Sequence, residues 1–252
     1  MRIYTTIGDM LNETARDLLE LGVVRKTKTM QDKNIENDPN YVTKELSNFS
    51  TCITNPSYTS FETAELFQKF SIGEDAIKLY QWVESEFYSR IDPELVNPGK
   101  AHLIRKELWE PFLIRHKGRF AYTYNERIRT QLPYIMEVLG KDPWSRQCVL
   151  SIWDPHIDAQ RIGRDRVPCS LYYHFIATPS EKGEPELNLV HAMRSCDFVT
   201  HFLCDIFMAQ LMLKWTVMQI DGINMGKLFF NTSSLHYYMK DESALKKFME
   251  TL

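Results

Sequence analysis

From Asp197 to Gln219 the chain reads DFVTHFLCDIFMAQLMLKWTVMQ, with neither glycine nor proline, and its apolar side chains fall all round a helical wheel. A helix that is apolar on every side has no face to give to water. The stretch therefore predicts a helix of about six turns buried in the interior, around which the rest of the chain must wrap. Asp205 sits near its middle. An ionised carboxylate there is costly unless paired, so Asp205 is either hydrogen-bonded structurally or waiting for a ligand.

At 252 residues and 44% hydrophobic content the chain has material for one sizeable core, and a single domain over residues 1–252 is the expectation. Thirty Lys and Arg against 33 Asp and Glu leave a net charge of -3, which gives no global basic field for nucleic acid or an anionic membrane. The N-terminus has no apolar run of signal-peptide type and no uncharged run is long enough to span a bilayer, so a cytoplasmic protein is expected, with no membrane partner. Five cysteines, without CxxC or Cys/His ligand spacing, argue against a disulfide framework and against a metal site. Any special cysteine is then a nucleophile rather than a bridge.

Around the central helix the pattern mixes both kinds of element. GDMLNETARDLLELG reads as an amphipathic helix stopped by Gly22. VRKTKTMQDKNIENDPN reads as a polar loop whose basic residues Arg25, Lys26 and Lys28 are either solvated or reach for phosphate. Residues 61–87 have helical spacing, and ERIRTQLPYIMEVLGKDPWSR suggests a helix begun or kinked at Pro133 and ended by Gly140. QCVLSIW, CSLYYHFIAT, ELNLVHAMRS and KLFFNTSSLHYYM have the composition of strands, and a short charged helix closes the chain. The class is α+β. No GxGxxG, P-loop, HExxH or internal repeat occurs.

Taken in order, the strand opened by PCSLYYHF, then MRSCD, the buried helix and SSLHYY resemble the thymidylate synthase family, and within it the phage deoxycytidylate (dCMP) hydroxymethylases. The similarity covers Asp142 to Met239. It implies a three-layer fold with a large twisted mixed sheet and flanking helices, assembled as a sheet-faced homodimer. The implied reaction moves one carbon from 5,10-methylenetetrahydrofolate to carbon 5 of a pyrimidine nucleoside monophosphate. Cys169 is then the nucleophile that adds to carbon 6, which turns carbon 5 from a poor nucleophile into an enamine-like one; read alone, it is a small buried hydrophobe. Arg194 and Ser195 match the phosphate-binding pair. Arg146 in DPWSRQ matches an arginine reaching the partner subunit's phosphate site, with Gln147 where a second arginine is usual, and Arg25 is the candidate for a mobile-loop arginine. His236 and Tyr238 match the His-x-Tyr pair that reads the sugar 3'-hydroxyl. Tyr124 is either the tyrosine that arranges a proton-transfer water or a core tyrosine, and Asp197 is a folate contact, a helix cap or both.

Asp205 stands where thymidylate synthases carry an asparagine. Uracil offers an acceptor at position 4 and a donor at ring nitrogen 3, and cytosine reverses both. A carboxyl group accepts from the cytosine amino group and shares a proton with its ring nitrogen, so Asp205 points to dCMP or CMP and, with water completing the reaction, to a 5-hydroxymethyl product. Met193, where synthases commonly have glutamine, points the same way. Two features depart from the family. With Trp82 as counterpart, Leu79 stands where its glutamate precedes the tryptophan by three, so either the register differs, or Glu84 or Glu86 substitutes, or the proton chemistry is different, and only 14 residues follow Tyr238, which leaves the use of folate open. Nucleotide methylation of the thymidylate synthase type, a folate-independent reaction and a non-catalytic nucleotide binder are the alternatives.

Overall fold

A computed structural model of the protein describes residues 1–30, 33–115 and 117–250. The strands are β1 (Arg2–Tyr4), β2 (Val23–Arg25), β3 (Thr29–Met30), β4 (Lys33–Asn34), β5 (Thr43–Ile53), β6 (Val149–Ser151), β7 (Ser170–Pro179), β8 (Pro185–Met193), β9 (Cys196–Asp197) and β10 (Asn224–Tyr238). The helices are α1 (Ile7–Leu21), α2 (Ser60–Phe70), α3 (Ala76–Ile91), α4 (Lys106–Arg115), α5 (Tyr124–Ile128), α6 (Leu132–Lys141), α7 (Pro155–Asp158), α8 (Leu203–Met218) and α9 (Glu242–Glu250). One mixed sheet runs β1-β5-β10-β8-β7-β6, with β2 added on β5 and β9 on β10. β10 is antiparallel to β5 and parallel to β8, so it is flanked on both sides along most of its length.

The apolar stretch fulfils its expectation in α8. Leu203, Ile206, Phe207, Met208, Ala209, Met212 and Leu213 are all buried. Its first turn departs from it: Phe198–Phe202 wind as a π-helix before the α-helix begins, a local widening common at functional sites. The helix lies on β8 and β10 and against α3. Phe207, fully buried, is wedged between Tyr58 and Phe67 with ring centres 5.9 and 5.2 Å away. Phe207→Ala should destabilise the protein by about 3–5 kcal/mol, read as a lower midpoint in urea with unchanged slope.

Several local expectations shift. Residues 61–87 form two helices, α2 and α3, because Gly73 turns the chain at φ 72 between them. Gly140 does not end α6, which runs on to Lys141. Gly22 does end α1, though by crowding: a side chain there would lie 2.4 Å from the Leu18 carbonyl oxygen. Arg25, expected on a loop, is in strand β2 and paired to Thr43. The longest element not foreseen is β5, whose TKELSNFSTCI is too polar to signal a strand that β10 and β1 bury from either side. Among the described residues, no helix is long and apolar enough to cross a membrane.

Candidate active site

Strand pairing assembles the site. β7 begins immediately after Cys169, and Ser170 is in register with Met193 at the end of β8, so the chain leaving β8 passes beside the cysteine. The Arg194 amide donates to the Cys169 carbonyl at 2.9 Å. Its guanidinium donates to the Pro168 carbonyl at 2.8 Å and the Val167 carbonyl at 3.3 Å, and its Nη2 lies 3.6 Å from Cys169 Sγ. Cys169 is also the one partly exposed cysteine; the other four are buried.

Ser195 lies in the bend between β8 and β9, and β9 runs parallel to β10 with Asp197 opposite His236. Asp197 Oδ1 accepts from the Val199 and Thr200 amides at 3.1 and 3.3 Å, capping the π-turn while its second oxygen makes no such bond. His236 Nδ1 is 3.4 Å from Ser234 Oγ, which donates to Glu45 at 2.7 Å, and Glu45 takes the Arg25 guanidinium at 2.6 Å. Arg25 thus joins the site through Glu45 and Ser234 rather than from a loop. Tyr238 stands edge-on to His236, with ring centres 5.4 Å apart, and donates to Met30 Sδ. Tyr124 opens α5 behind a Thr123–Glu126 capping box, and its hydroxyl accepts from the Ser170 amide at 3.4 Å. Arg146 is not brought to this cluster. It is exposed before β6, where its carbonyl meets the His174 ring at 3.2 Å.

Asp205, in the first turn of α8, accepts from the Cys196 thiol at 3.5 Å. Burial pushes its carboxyl up to about 6, against the pull of Arg90, the Cys196 hydrogen bond and Arg105. Burial also raises the Tyr124 and Tyr238 hydroxyls, with the Cys169 sulfur adding to both, and lowers His236, so all three stay neutral near pH 7.

A family model for thymidylate synthase matches residues 78–251. The chain belongs to the thymidylate synthase family. A Methanocaldococcus jannaschii protein described as "Putative thymidylate synthase" is 23% identical over 209 residues, covering 82% of this chain and 81% of that one. The thymidylate synthase of Streptococcus mutans is 26% identical over 133 residues, 52% of this chain and 46% of its own length. The fold is similar to that of the thermostable thymidylate synthase A from Bacillus subtilis, with a TM-score of 0.69 over 97% of this chain and 84% of that one at 15% identity.

Within this thymidylate synthase-like frame, Leu79 is a core residue, and Trp82 stacks on Trp109 with ring centres 6.0 Å apart. Glu84 accepts from Tyr80 at 2.9 Å, whereas Glu86 is the α3 carboxylate that faces the site, 3.0 Å from the buried Arg90. Sequence reading passed over Arg90 because Glu-x-x-x-Arg on a helix usually marks a solvated pair. It also passed over Arg105, which is 1% exposed and held by Glu74 and the Thr200 carbonyl, and Arg166, whose guanidinium lies 4.6 Å from the Trp109 ring and 5.1 Å from that of Tyr122. No spacing announces such a cage, since its members come from α4, α5's approach and the loop before Cys169.

The raised carboxyl has a consequence for stability. Because Asp205 binds its proton more tightly folded than unfolded, its contribution is fully present below pH 3.8 and is lost as pH rises through about 6. Melting temperatures of Asp205→Asn and the parent should therefore diverge between pH 4 and 7, the variant gaining relative to the parent as pH rises. Parallel curves across that range would show that Asp205 titrates normally.

Proposed function

We propose that the protein is a pyrimidine nucleotide C5-hydroxymethyltransferase that converts dCMP or CMP to its 5-hydroxymethyl form. Family membership supports one-carbon transfer to carbon 5 of a nucleoside monophosphate in general. The choice of cytosine is supported by Asp205, which the family resemblance puts at the base edge and whose buried carboxyl is pushed up to about 6.

In this reading Arg194 has two tasks. It stands against the Cys169 sulfur and, with Ser195, lends donors to the nucleotide phosphate. The Cys169 thiolate adds to carbon 6 of the ring, Asp205 supplies a proton to ring nitrogen 3 while accepting from the 4-amino group, and carbon 5 becomes the nucleophile. Methylenetetrahydrofolate, when bound, supplies the electrophilic carbon. Residues present fit such a co-substrate: the second oxygen of Asp197 is unbonded to the backbone, and the buried Nη1 of Arg105 lacks a partner. A water positioned by Tyr124 takes the carbon 5 proton as the transferred carbon parts from its donor nitrogen, water adds to the exocyclic methylene so formed, and departure of Cys169 from carbon 6 restores the aromatic base. His236 and Tyr238 hold the sugar 3'-hydroxyl.

A homodimer is part of the proposal. The sheet face away from α8 carries Val149, Tyr172, Ile176, Val190 and Phe229 only partly buried, with Val149 44% and Tyr172 38% exposed, an apolar face suited to a second copy. Arg146 would then serve the partner's phosphate site. Incubation with dCMP, CMP or dUMP, with and without methylenetetrahydrofolate, tests the reading by product mass. A hydroxymethyl gain on a cytidylate only with folate supports it, and a methyl gain on dUMP overturns it.

A further inference from the structure

On the sugar side of the site stands a buried carboxylate that the chemistry above does not use. Glu45 is 7% exposed in β5, whose antiparallel register with β10 sets it opposite His236. Ser234, two residues before His236, is then its diagonal neighbour on the same face. Ser234 Oγ donates to Glu45 Oε2 at 2.7 Å and lies 3.4 Å from His236 Nδ1, while the Arg25 guanidinium donates to Glu45 Oε1 at 2.6 Å. Both carboxylate oxygens are engaged, and each bond is made to the charged form. Burial works against that charge, but the hydrogen bonds from Arg25 and Ser234 outweigh it and hold the carboxyl below its usual range. An arginine and a glutamate would pair as readily at the surface. What the buried position adds is the bond to Ser234.

We propose that Glu45 is a positioning residue: through Ser234 it fixes which nitrogen of His236 meets the sugar, and so makes a free 3'-hydroxyl a requirement for nucleotide binding. The proposal rests on the reading of His236 and Tyr238 as the sugar contacts. A serine hydroxyl has one proton to give. The Glu45 carboxylate can only accept, so that proton goes to Glu45, and toward His236 the Ser234 oxygen offers only a lone pair. The His236 ring is neutral, because burial lowers it against the pull of Asp197 and Glu45. Its single proton then lies on Nδ1, where it meets the Ser234 oxygen. The Ser234 carbonyl, which also favours a proton on this ring, acts in the same sense.

That assignment leaves Nε2 as an acceptor. Tyr238 is its complement: burial, with Asp197 and Cys169 adding to it, keeps the hydroxyl protonated, and it donates here to Met30 Sδ at 3.1 Å. A sugar hydroxyl fits between the two, accepting from Tyr238 and donating to Nε2. A 3'-phosphodiester, ether or halide has no proton to give, so it would set a lone pair against the lone pair of Nε2 and leave that nitrogen unpaired. The class recognised is thus a free mononucleotide rather than a base carried within a strand.

The test reads the ring and the ligand separately. In nitrogen-15 NMR of the full-length protein at pH 7, the His236 ring, assigned by its loss in His236→Gln, should show Nδ1 as the protonated nitrogen. Glu45→Gln should reverse it. Arg25 draws the amide oxygen to itself, the NH₂ group turns to Ser234, and the Ser234 proton turns to Nδ1, which leaves the ring proton on Nε2. Binding of dCMP is then compared with binding of its 3'-fluoro analogue, which keeps nearly the size of the hydroxyl but cannot donate. The parent should prefer dCMP by about 10–100-fold. Glu45→Gln should narrow that ratio to about threefold or less, whereas general damage would weaken both ligands alike and leave the ratio unchanged. Ser234→Ala removes the link while keeping the Arg25–Glu45 pair; it should mix the two ring forms and narrow the same ratio, and it serves if Glu45→Gln does not fold. A parent ring protonated on Nε2, or a ring and a ratio unmoved in the variants, overturns the role of Glu45 and leaves His236 as a sugar contact. Equal binding of dCMP and its analogue by the parent overturns the sugar reading and this proposal with it, and binding of neither overturns the proposed function itself.

Discussion

Replacing Cys169 with alanine should lower turnover by on the order of 10⁴-fold or more, and release of tritium from carbon 5 of the nucleotide should vanish with it. Exchange at carbon 5 needs the carbon 6 adduct, and no other described cysteine is placed to form one: Cys52, Cys148, Cys196 and Cys204 are buried, and burial raises each of their thiols. Binding should survive, because the proposed phosphate and sugar contacts through Arg194, Ser195, His236 and Tyr238 do not use the sulfur. Alkylation gives an independent reading. In the parent, iodoacetamide should modify Cys169 before any other cysteine, and a nucleotide should protect it. Arg194→Met should slow that alkylation at pH 7 by removing the guanidinium 3.6 Å from Sγ. Persistent tritium release in Cys169→Ala would sink the covalent mechanism.

The parts of this site that the sequence announces are those carried by contiguous motifs. Cys169 at the head of a strand, Arg194 and Ser195 after the next and His236 and Tyr238 in a third are each local patterns, and strand pairing brings them together. α8 was legible because an all-round apolar stretch has one physical solution. β5 was not, because its residues alternate between the core and a polar face and its polar positions mask the period. Arg90, Arg105 and Arg166 were hidden for a different reason. Charge in a sequence reads as surface by default, and what draws these three inward, Arg90 and Arg105 fully and Arg166 in part, is a set of aromatic and carboxylate neighbours distant in the chain: Tyr173 for Arg90, Glu74 for Arg105 and Trp109 for Arg166. The carboxylate of α3 belongs to the same class. Spacing from Trp82 picks out Leu79, which the fold places in the core, while Glu86 faces the site two turns later.

Asp205→Asn should shift the preference from cytidylate to uridylate, changing the ratio of kcat/KM values by about 10³–10⁵-fold. An amide carries one donor and one acceptor, so the outcome depends on which of them faces the base. The neighbours fix that orientation. The Cys196 thiol donates toward the side chain and Arg90 presents a positive charge, so both draw the amide oxygen inward and leave the NH₂ group toward position 4 of the ring. There it meets the uracil oxygen as donor to acceptor, but the cytosine amino group as donor to donor. The substitution also removes the titrating carboxyl, so the pH dependence of binding should flatten around pH 6. Paired assays of dUMP and dCMP at one pH, with nucleotide mass as readout, separate selectivity from general damage, since a misfolded variant loses both substrates together. A variant that still prefers cytidylate, with intact folding by melting temperature, would show that another group reads the exocyclic position.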